Sequence, residues 1–245
     1  SLRKEITSNY KSPLLYSLGG NLQLFKWYAL KFSGSKNFRI PTFNDLYWQP
    51  GGNENLKPES SYQAELGNDF HFKNFKISLT GYYIDIEDML RWLPTGSFWS
   101  PQNTQKVRTY GGEAILNWKK SFGSHHFEVN GTYAYTVSED QEIEKQLIYV
   151  PYHKATSSLA YSWKKFSADY QFLYNGEVFT QSDNNPRYTI DAYFVNNASL
   201  YYDFGKKNSY IIGLQVLNLF NEKYASVESR FLPGRNYNLY LNLKF

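Results

Sequence analysis

Residues 236–245 read Asn-Tyr-Asn-Leu-Tyr-Leu-Asn-Leu-Lys-Phe, and this strict alternation is the tightest constraint in the chain. Tyr237, Leu239, Leu241, Leu243 and Phe245 share one side of an extended strand, and Asn238, Tyr240, Asn242 and Lys244 share the other, because successive strand side chains point to opposite faces. A helical period would scatter the same apolar residues around a cylinder. The length matches the roughly 9–11 residues of a tilted membrane-crossing strand. One face is apolar and one polar, with an aromatic at the end. Such a strand suits either the wall between lipid and a watery lumen or the edge of a soluble sandwich. The rest of the chain decides.

Alternating segments recur throughout. Strands are predicted at 12–22, 27–33, 62–72, 75–85, 107–118, 126–136, 155–163, 166–174, 191–204 and 210–220, before the final one. Long polar connections are predicted at 34–61, 89–104, 138–146, 181–187 and 221–235. Short turns fall near 23–26, 73–74, 119–124, 164–165 and 205–208, so the unit repeats roughly every 45 residues, each short turn alternating with a long loop as in an up-and-down membrane barrel. Aromatics flank the short turns: Trp27, Phe72 and Phe75, Trp118 and Phe127, Trp163 and Phe166, Phe204 and Tyr210, with Phe245 at the same level. Lys73, Lys119, Lys120, Lys164, Lys165, Lys206 and Lys207 sit in the turns themselves. A soluble sandwich has no reason to ring one end with aromatics at every hairpin, whereas a bilayer interface does. The fold class is therefore an all-β, antiparallel, up-and-down transmembrane β-barrel. Asn238, Asn242, Glu65, Glu128, Asn130, Asp169 and Gln171 are expected to face its interior, and Leu239, Leu241, Tyr170, Phe172 and Leu159 to face outward.

Composition removes other classes. No run approaches the roughly 18 apolar residues of a membrane helix. The net charge of +4 comes from lysines spread over turns and forms no basic face, so nucleic acid is excluded as a partner. Cysteine is absent, which excludes a disulfide scaffold. Ser1 opens the sequence without a signal peptide, which suggests a processed product or a fragment. About eleven strands are expected. Since bacterial single-chain barrels carry even numbers and hydrocarbon does not tolerate open edges, residues 1–245 are read as part of a larger barrel. Its first and last strands would pair with the remaining strands or with another copy.

Several stretches match a known pattern. Phe38-Arg39-Ile40-Pro41-Thr42-Phe43-Asn44-Asp45-Leu46-Tyr47-Trp48, then Gly52-Asn53, Asn55-Leu56-Lys57-Pro58-Glu59, Glu65 and Gly67, lie ahead of Asn218-Leu219-Phe220-Asn221, Tyr224, Pro233-Gly234-Arg235 and Phe245. In that order they resemble TonB-dependent outer-membrane receptors, and the Phe-Asn-Asp-Leu-Tyr-Trp wording is similar to cobalamin-receptor-like members. The resemblance implies a 22-stranded barrel of which this chain is the C-terminal half, without the plug domain. It also implies a bacterial outer-membrane location, TonB as energising partner, and uptake of a scarce nutrient such as cobalamin, a ferric siderophore or haem. A passive porin or structural barrel protein is the alternative.

No catalytic constellation stands out, and no cofactor or metal is expected. His153 and Ser157 are the nearest approach to a hydrolase pair, His125-His126 point apart on a strand, and Glu87-Asp88 read as solvated loop carboxylates. Ligand capture is assigned to aromatics and arginines on the long-loop side: Arg39, Tyr47, Trp48, Trp92, Trp99, Tyr224, Arg230 and Arg235. Aromatic surface with a few charged groups suits a bulky polar ligand. For Arg39 and Arg235 the same motif positions also suit bracing of loop and plug.

Overall fold

The computed structural model describes residues 1–7, 9–205 and 210–243. Lys206, Lys207, Asn208, Lys244 and Phe245, named above for one short turn and the final girdle position, lie outside the described residues. The elements are β1 (Leu2–Lys4), β2 (Leu14–Phe25), β3 (Tyr28–Arg39), α1 (Phe43–Tyr47), β4 (Glu59–His71), β5 (Phe75–Thr95), β6 (Phe98–Phe122), β7 (His125–Asp140), β8 (Lys145–Gln146), β9 (His153–Trp163), β10 (Phe166–Asn175), β11 (Val178–Phe179), β12 (Thr189–Ile190), β13 (Tyr193–Asp203), β14 (Tyr210–Leu217), β15 (Ala225–Val227), β16 (Arg230–Phe231) and β17 (Asn236–Leu243). One antiparallel sheet runs β1-β2-β3-β4-β5-β6-β7-β9-β10-β13-β14-β17, with β8 on β7. Eleven long strands are joined as an open meander, as the alternation predicts, and the three-residue β1 is an addition to it.

Register separates the two faces. Leu239 pairs with Leu214, which pairs with Leu200, Ala168, Tyr161 and Phe127 in turn across the strands that follow. Asn238 begins the opposite row: Gln215, Ser199, Asp169, Ala160, Glu128 and Lys119. The polar face is tied by its own contacts, among them Lys31–Asp69 at 2.6 Å, Lys119–Glu128 at 3.0 Å and Thr132–Thr156 at 2.6 Å. Every described residue assigned to a face above lies in the row expected of it.

The apolar face carries two girdles. At the short-turn end Trp27 stacks on Phe25, Phe70 and Phe72, Phe75 meets Trp118, and His125 lies on Trp163. Eight residues further along each strand, a second ring appears: Phe75 is followed by Tyr83, Trp118 preceded by Tyr110, Phe127 followed by Tyr135, Phe166 by Tyr174, and Tyr202 preceded by Phe194. Eight residues rise about 27 Å along a strand, or roughly 20 Å along the normal at a tilt of about 40°. That is close to the apolar band of an outer-membrane barrel, which is about 25 Å tall. Sequence patterning pointed to the first girdle, and register reveals the second.

Several connections differ from expectation. The 23–26 turn falls at residues 26–27, since β2 runs to Phe25. Segment 34–61 is irregular only from 40 to 58, since β3 continues to Arg39 and β4 begins at Glu59. Segment 89–104 is no loop: β5 and β6 continue as a ribbon that turns only at residues 96–97, with Gly96 at φ 64. Pro94 and Pro101 conceal it, because a proline lacks the N–H a central strand needs, but beyond the sheet each ribbon strand has a free edge where proline is tolerated. The 119–124 turn narrows to residues 123–124, with β6 reaching Phe122 and Gly123 at φ 58.

Candidate functional site

The long connections gather at the end of the sheet away from the short turns, and one carboxylate organises the first. Thr42 caps α1: its hydroxyl accepts from the Asp45 N–H at 3.2 Å, while Asp45 Oδ2 accepts from the Thr42 N–H at 2.8 Å and hydroxyl at 2.7 Å. This reciprocal box satisfies donors that a helix start leaves open. Asp45 Oδ1 takes the Trp92 indole N–H at 2.9 Å, from the ribbon, and Arg39 stands 3.8 Å from Oδ2. Asp45 is only 4 % exposed. Burial pushes its carboxyl up, but the Thr42 hydroxyl and N–H, then Trp92 and Arg39, together pull it below the usual carboxylate range. Arg39 also faces Glu59 at 3.9 Å, and Glu59 accepts the Leu90 N–H at 2.8 Å. The ends of β3 and β4, α1 and the ribbon thus share one charge network.

Beyond α1 the segment runs along the ribbon. Ser100 Oγ donates to the Gly51 carbonyl at 2.8 Å, Asn53 Nδ2 to that of Pro101 at 3.2 Å, and Asn103 bridges the Lys57 N–H and C=O at 2.8 and 2.9 Å. A Cβ at Gly51 would lie 2.2 Å from the Trp99 carbonyl oxygen, so only glycine lets the two backbones approach this closely. Ile86, Val107 and Leu147, with Met89 and Val150 against them, form a small apolar core beneath.

The other long connections are tied in as well. Gln146 and Asn184 exchange backbone-to-side-chain bonds at 2.8 and 2.9 Å. Tyr149 donates its N–H to the Phe179 carbonyl at 2.9 Å, sets its ring 6.0 Å from Trp99, and has the Glu228 backbone near its hydroxyl. Burial raises the Tyr149 hydroxyl pKa above its ordinary value, an effect that the Glu228 backbone opposes. Asn218, 3 % exposed, accepts the Glu222 N–H at 2.8 Å and donates to the carbonyls of Glu222 and Pro233. Asn221 accepts the Arg235 N–H at 2.9 Å. The Asn218-Leu219-Phe220-Asn221 and Pro233-Gly234-Arg235 stretches are thereby one staple closing the last loop.

The eight assigned residues fall into two groups. Arg39 and Trp92 turn onto Asp45, and Tyr224 packs its ring 4.8 Å from Tyr193. Arg235 Nη1 donates to the Tyr237 hydroxyl at 3.3 Å. Tyr47, Trp48 and Trp99 are 45 %, 54 % and 40 % exposed, and Arg230 is exposed on β16. Trp99 meets the Tyr149 ring and Arg230 stands on β16 of the last loop, whereas Tyr47 and Trp48 sit on α1 and its cap. Such exposed rings can take a flat unsaturated face, and an exposed guanidinium at the same end of the sheet can take an anionic edge. His153 bonds the Tyr133 hydroxyl at 2.7 Å rather than Ser157, and Asp88 lies 3.9 Å from Lys57. Asp45 and Tyr149 were not singled out from sequence. The Thr-x-x-Asp spacing signals the first, while Tyr149 has no local signature.

Comparison with known proteins bears on the whole chain. A family of TonB-dependent receptor-like β-barrels matches residues 3–219. The vitamin B12 transporter BtuB of Photobacterium profundum is 26 % identical over 250 residues, spanning 100 % of this chain and 40 % of that protein. Among solved structures, the copper transporter OprC superposes with a TM-score of 0.77 at 16 % identity, over 96 % of this chain and 40 % of its own. The siderophore receptor PirA from Acinetobacter baumannii gives 0.74 at 21 % identity, over 97 % and 42 %. The chain thus spans about two fifths of the length of the relatives it matches. These structural likenesses show the fold, an antiparallel barrel sheet. The chain belongs to the TonB-dependent receptor-like β-barrel family.

Proposed function

We propose that the protein carrying this chain captures a scarce nutrient at the bacterial outer membrane and imports it with energy delivered through TonB. The ligand class is cobalamin, a ferric siderophore or haem. One observation carries this reading: the long connections and the β5–β6 ribbon are tied to one another at one mouth of the sheet, presenting Tyr47, Trp48, Trp99 and Arg230. A passive pore needs no such cover. An importer needs a receiving surface held in shape, because a pre-ordered site avoids the entropy cost of assembling it on binding. The cobalamin transporters among the relatives favour a corrinoid within that class. The plug and the remaining strands, which TonB would act through, are expected in parts of the protein outside these residues.

Equilibrium binding of the full-length receptor to cyanocobalamin, haem and a ferric catecholate siderophore tests this. One ligand should bind in the nanomolar to micromolar range, and Trp99→Ala with Trp48→Ala should weaken it about tenfold, the equivalent of about 1.4 kcal/mol. Uptake in cells should vanish without TonB. An ungated, unselective conductance in planar bilayers together with no binding would support the porin reading instead.

A further inference from the structure

The outward face carries charge differently at its two ends. Near the long loops both signs alternate in register: Lys36, Tyr62, Asp85, Arg108 and Glu139 form one row, and Glu87 pairs with Lys106 in the next. Between the Asp85 row and the short turns, no outward-facing residue among those described is acidic. The carboxylates of that end, Asp69, Glu128, Asp169 and Asp203, all stand in the polar rows. Lys31 takes Asp69 at 2.6 Å, Lys119 takes Glu128 at 3.0 Å, and Asp203 accepts the Gly205 N–H at 3.0 Å. The outward rim of the short turns is therefore of one sign.

Two of its lysines converge on His125. This residue pairs with Phe122 on one side and Trp163 on the other. Lys120 Nζ lies over the Phe122 ring, 5.3 Å from its centroid, and Lys164 Nζ over the Trp163 ring at 5.0 Å. The two ammonium groups thus stand one strand to either side of the imidazole, on the order of 10 Å apart. Neither makes an ion pair within 4.0 Å among the described residues. The imidazole stacks on Trp163 at 5.7 Å and bonds the Tyr161 hydroxyl through Nδ1 at 2.8 Å. A hydroxyl donating to Nδ1 leaves the ring proton on Nε2, so a third donor stands between the two ammonium groups. The backbone adds a separate sign. Lys164 sits at φ 53 in the two-residue turn between Trp163 and Phe166. Glycine or asparagine would hold that left-handed position at less cost, and strain kept at such a position points to a use for the side chain.

We infer that Lys120, His125 and Lys164 form a binding site for the phosphate of one anionic phospholipid in the leaflet on the short-turn side. The occupant is a lipid because these groups lie on the outward face at the level of the aromatic girdle, which is headgroup depth. A water-borne polyanion would meet the turn tips instead. The inference is independent of which nutrient the receptor carries.

Native mass spectrometry of the full-length receptor, delipidated and titrated with phosphatidylglycerol or with phosphatidylcholine of the same chains, tests it. The wild type should bind one phosphatidylglycerol about tenfold more tightly than phosphatidylcholine. Lys120→Gln and Lys164→Asn should each weaken phosphatidylglycerol about fivefold and leave phosphatidylcholine unchanged. Asparagine relaxes the left-handed turn, so a loss there cannot come from a destabilised hairpin. His125→Phe keeps a ring on Trp163 and should weaken phosphatidylglycerol about threefold, the loss of one donor. Lys120→Arg should bind as wild type does, and so should Lys36→Gln, which removes a cation at the other end of the same face. A wild type with no preference between the two lipids would overturn the inference, as would an equal loss in Lys36→Gln. Displacement of phosphatidylglycerol by soluble peptidoglycan fragments at equal concentration would also overturn it, since the cell-wall polymer would then be the occupant.

Discussion

The Tyr170 hydroxyl donates to Asn196 Oδ1 at 2.5 Å on the face turned to hydrocarbon, and Asn196 is only 7 % exposed. Tyr28 does the same for Asn68 at 2.8 Å, several strands away. A side-chain amide on this face has no water to turn to, and an unmatched polar group there is costly. In each case a tyrosine on the adjacent strand, diagonal to the amide, supplies both a ring for the lipid and a donor for the carbonyl oxygen. These pairs explain how asparagines occupy rows otherwise filled by leucine, isoleucine and aromatics.

Removing one partner should therefore cost more than removing both. Tyr170→Phe is expected to destabilise the barrel by about 1–3 kcal/mol, the cost of an unmatched buried acceptor. Tyr170→Phe with Asn196→Val should return close to wild type. Urea-titrated folding of the full-length receptor into lipid vesicles measures both. Stability of the single variant equal to that of wild type would sink the idea.

Asp45 predicts a pH dependence. Its carboxyl pKa is lower in the folded chain than the unfolded value of about 3.9. The stabilisation it supplies is thus complete above that unfolded value and is lost as pH falls through the folded one. Docking of the 40–58 segment should weaken only below about pH 4, with Trp92 and Thr42 losing their acceptor. Asp45→Asn should loosen the segment already at pH 7 and abolish the acid-dependent change. Hydrogen exchange of residues 42–58, corrected for intrinsic rates, reads both effects. An Asp45→Asn variant exchanging like wild type at every pH would contradict them.

Much of this was legible from period alone. The face assignments followed from alternation because a register slip of a single residue would have turned every leucine of β17 toward the polar row. Loops were legible less well. In the 89–104 ribbon, Pro94, Gly96 and Pro101 read as breakers, and only the pairing partner shows that the strands continue. At the site, Thr42 and Asp45 carry a local signature, but Trp92 joins them from 47 residues away. That contact belongs to tertiary structure and leaves no mark in a short window.

Gly51 should tolerate no side chain. With a Cβ placed 2.2 Å from the Trp99 carbonyl, Gly51→Ala must push the segment off the ribbon and break the Ser100–Gly51 bond. Protease sensitivity between 49 and 58 should rise severalfold while the melting temperature of the barrel barely moves, because the strands below are untouched. A variant as protease-resistant as wild type would show that the ribbon yields instead.

Tyr149 offers the sharpest test of whether the loops act as one body. It sits at φ 60, a left-handed conformation that is strained for any residue with a Cβ, and it meets Trp99 and Phe179 at once, with Glu228 near its hydroxyl. Three substitutions separate these roles. Tyr149→Phe keeps the ring against Trp99 and loses only the hydroxyl beside Glu228, so exchange should increase in β15 and β16 alone. Tyr149→Ala loses both contacts and keeps the strain, freeing the ribbon tip and the last loop together. Tyr149→Gly loses both contacts but relaxes the backbone, which favours it over alanine by about 1 kcal/mol. Ligand affinity should therefore fall in the order wild type, Tyr149→Phe, Tyr149→Gly, Tyr149→Ala, since ordering the loops must then come out of the binding free energy. Should Tyr149→Ala bind as tightly as wild type, the rings at Trp99 and Trp48 would not depend on this clamp for their placement.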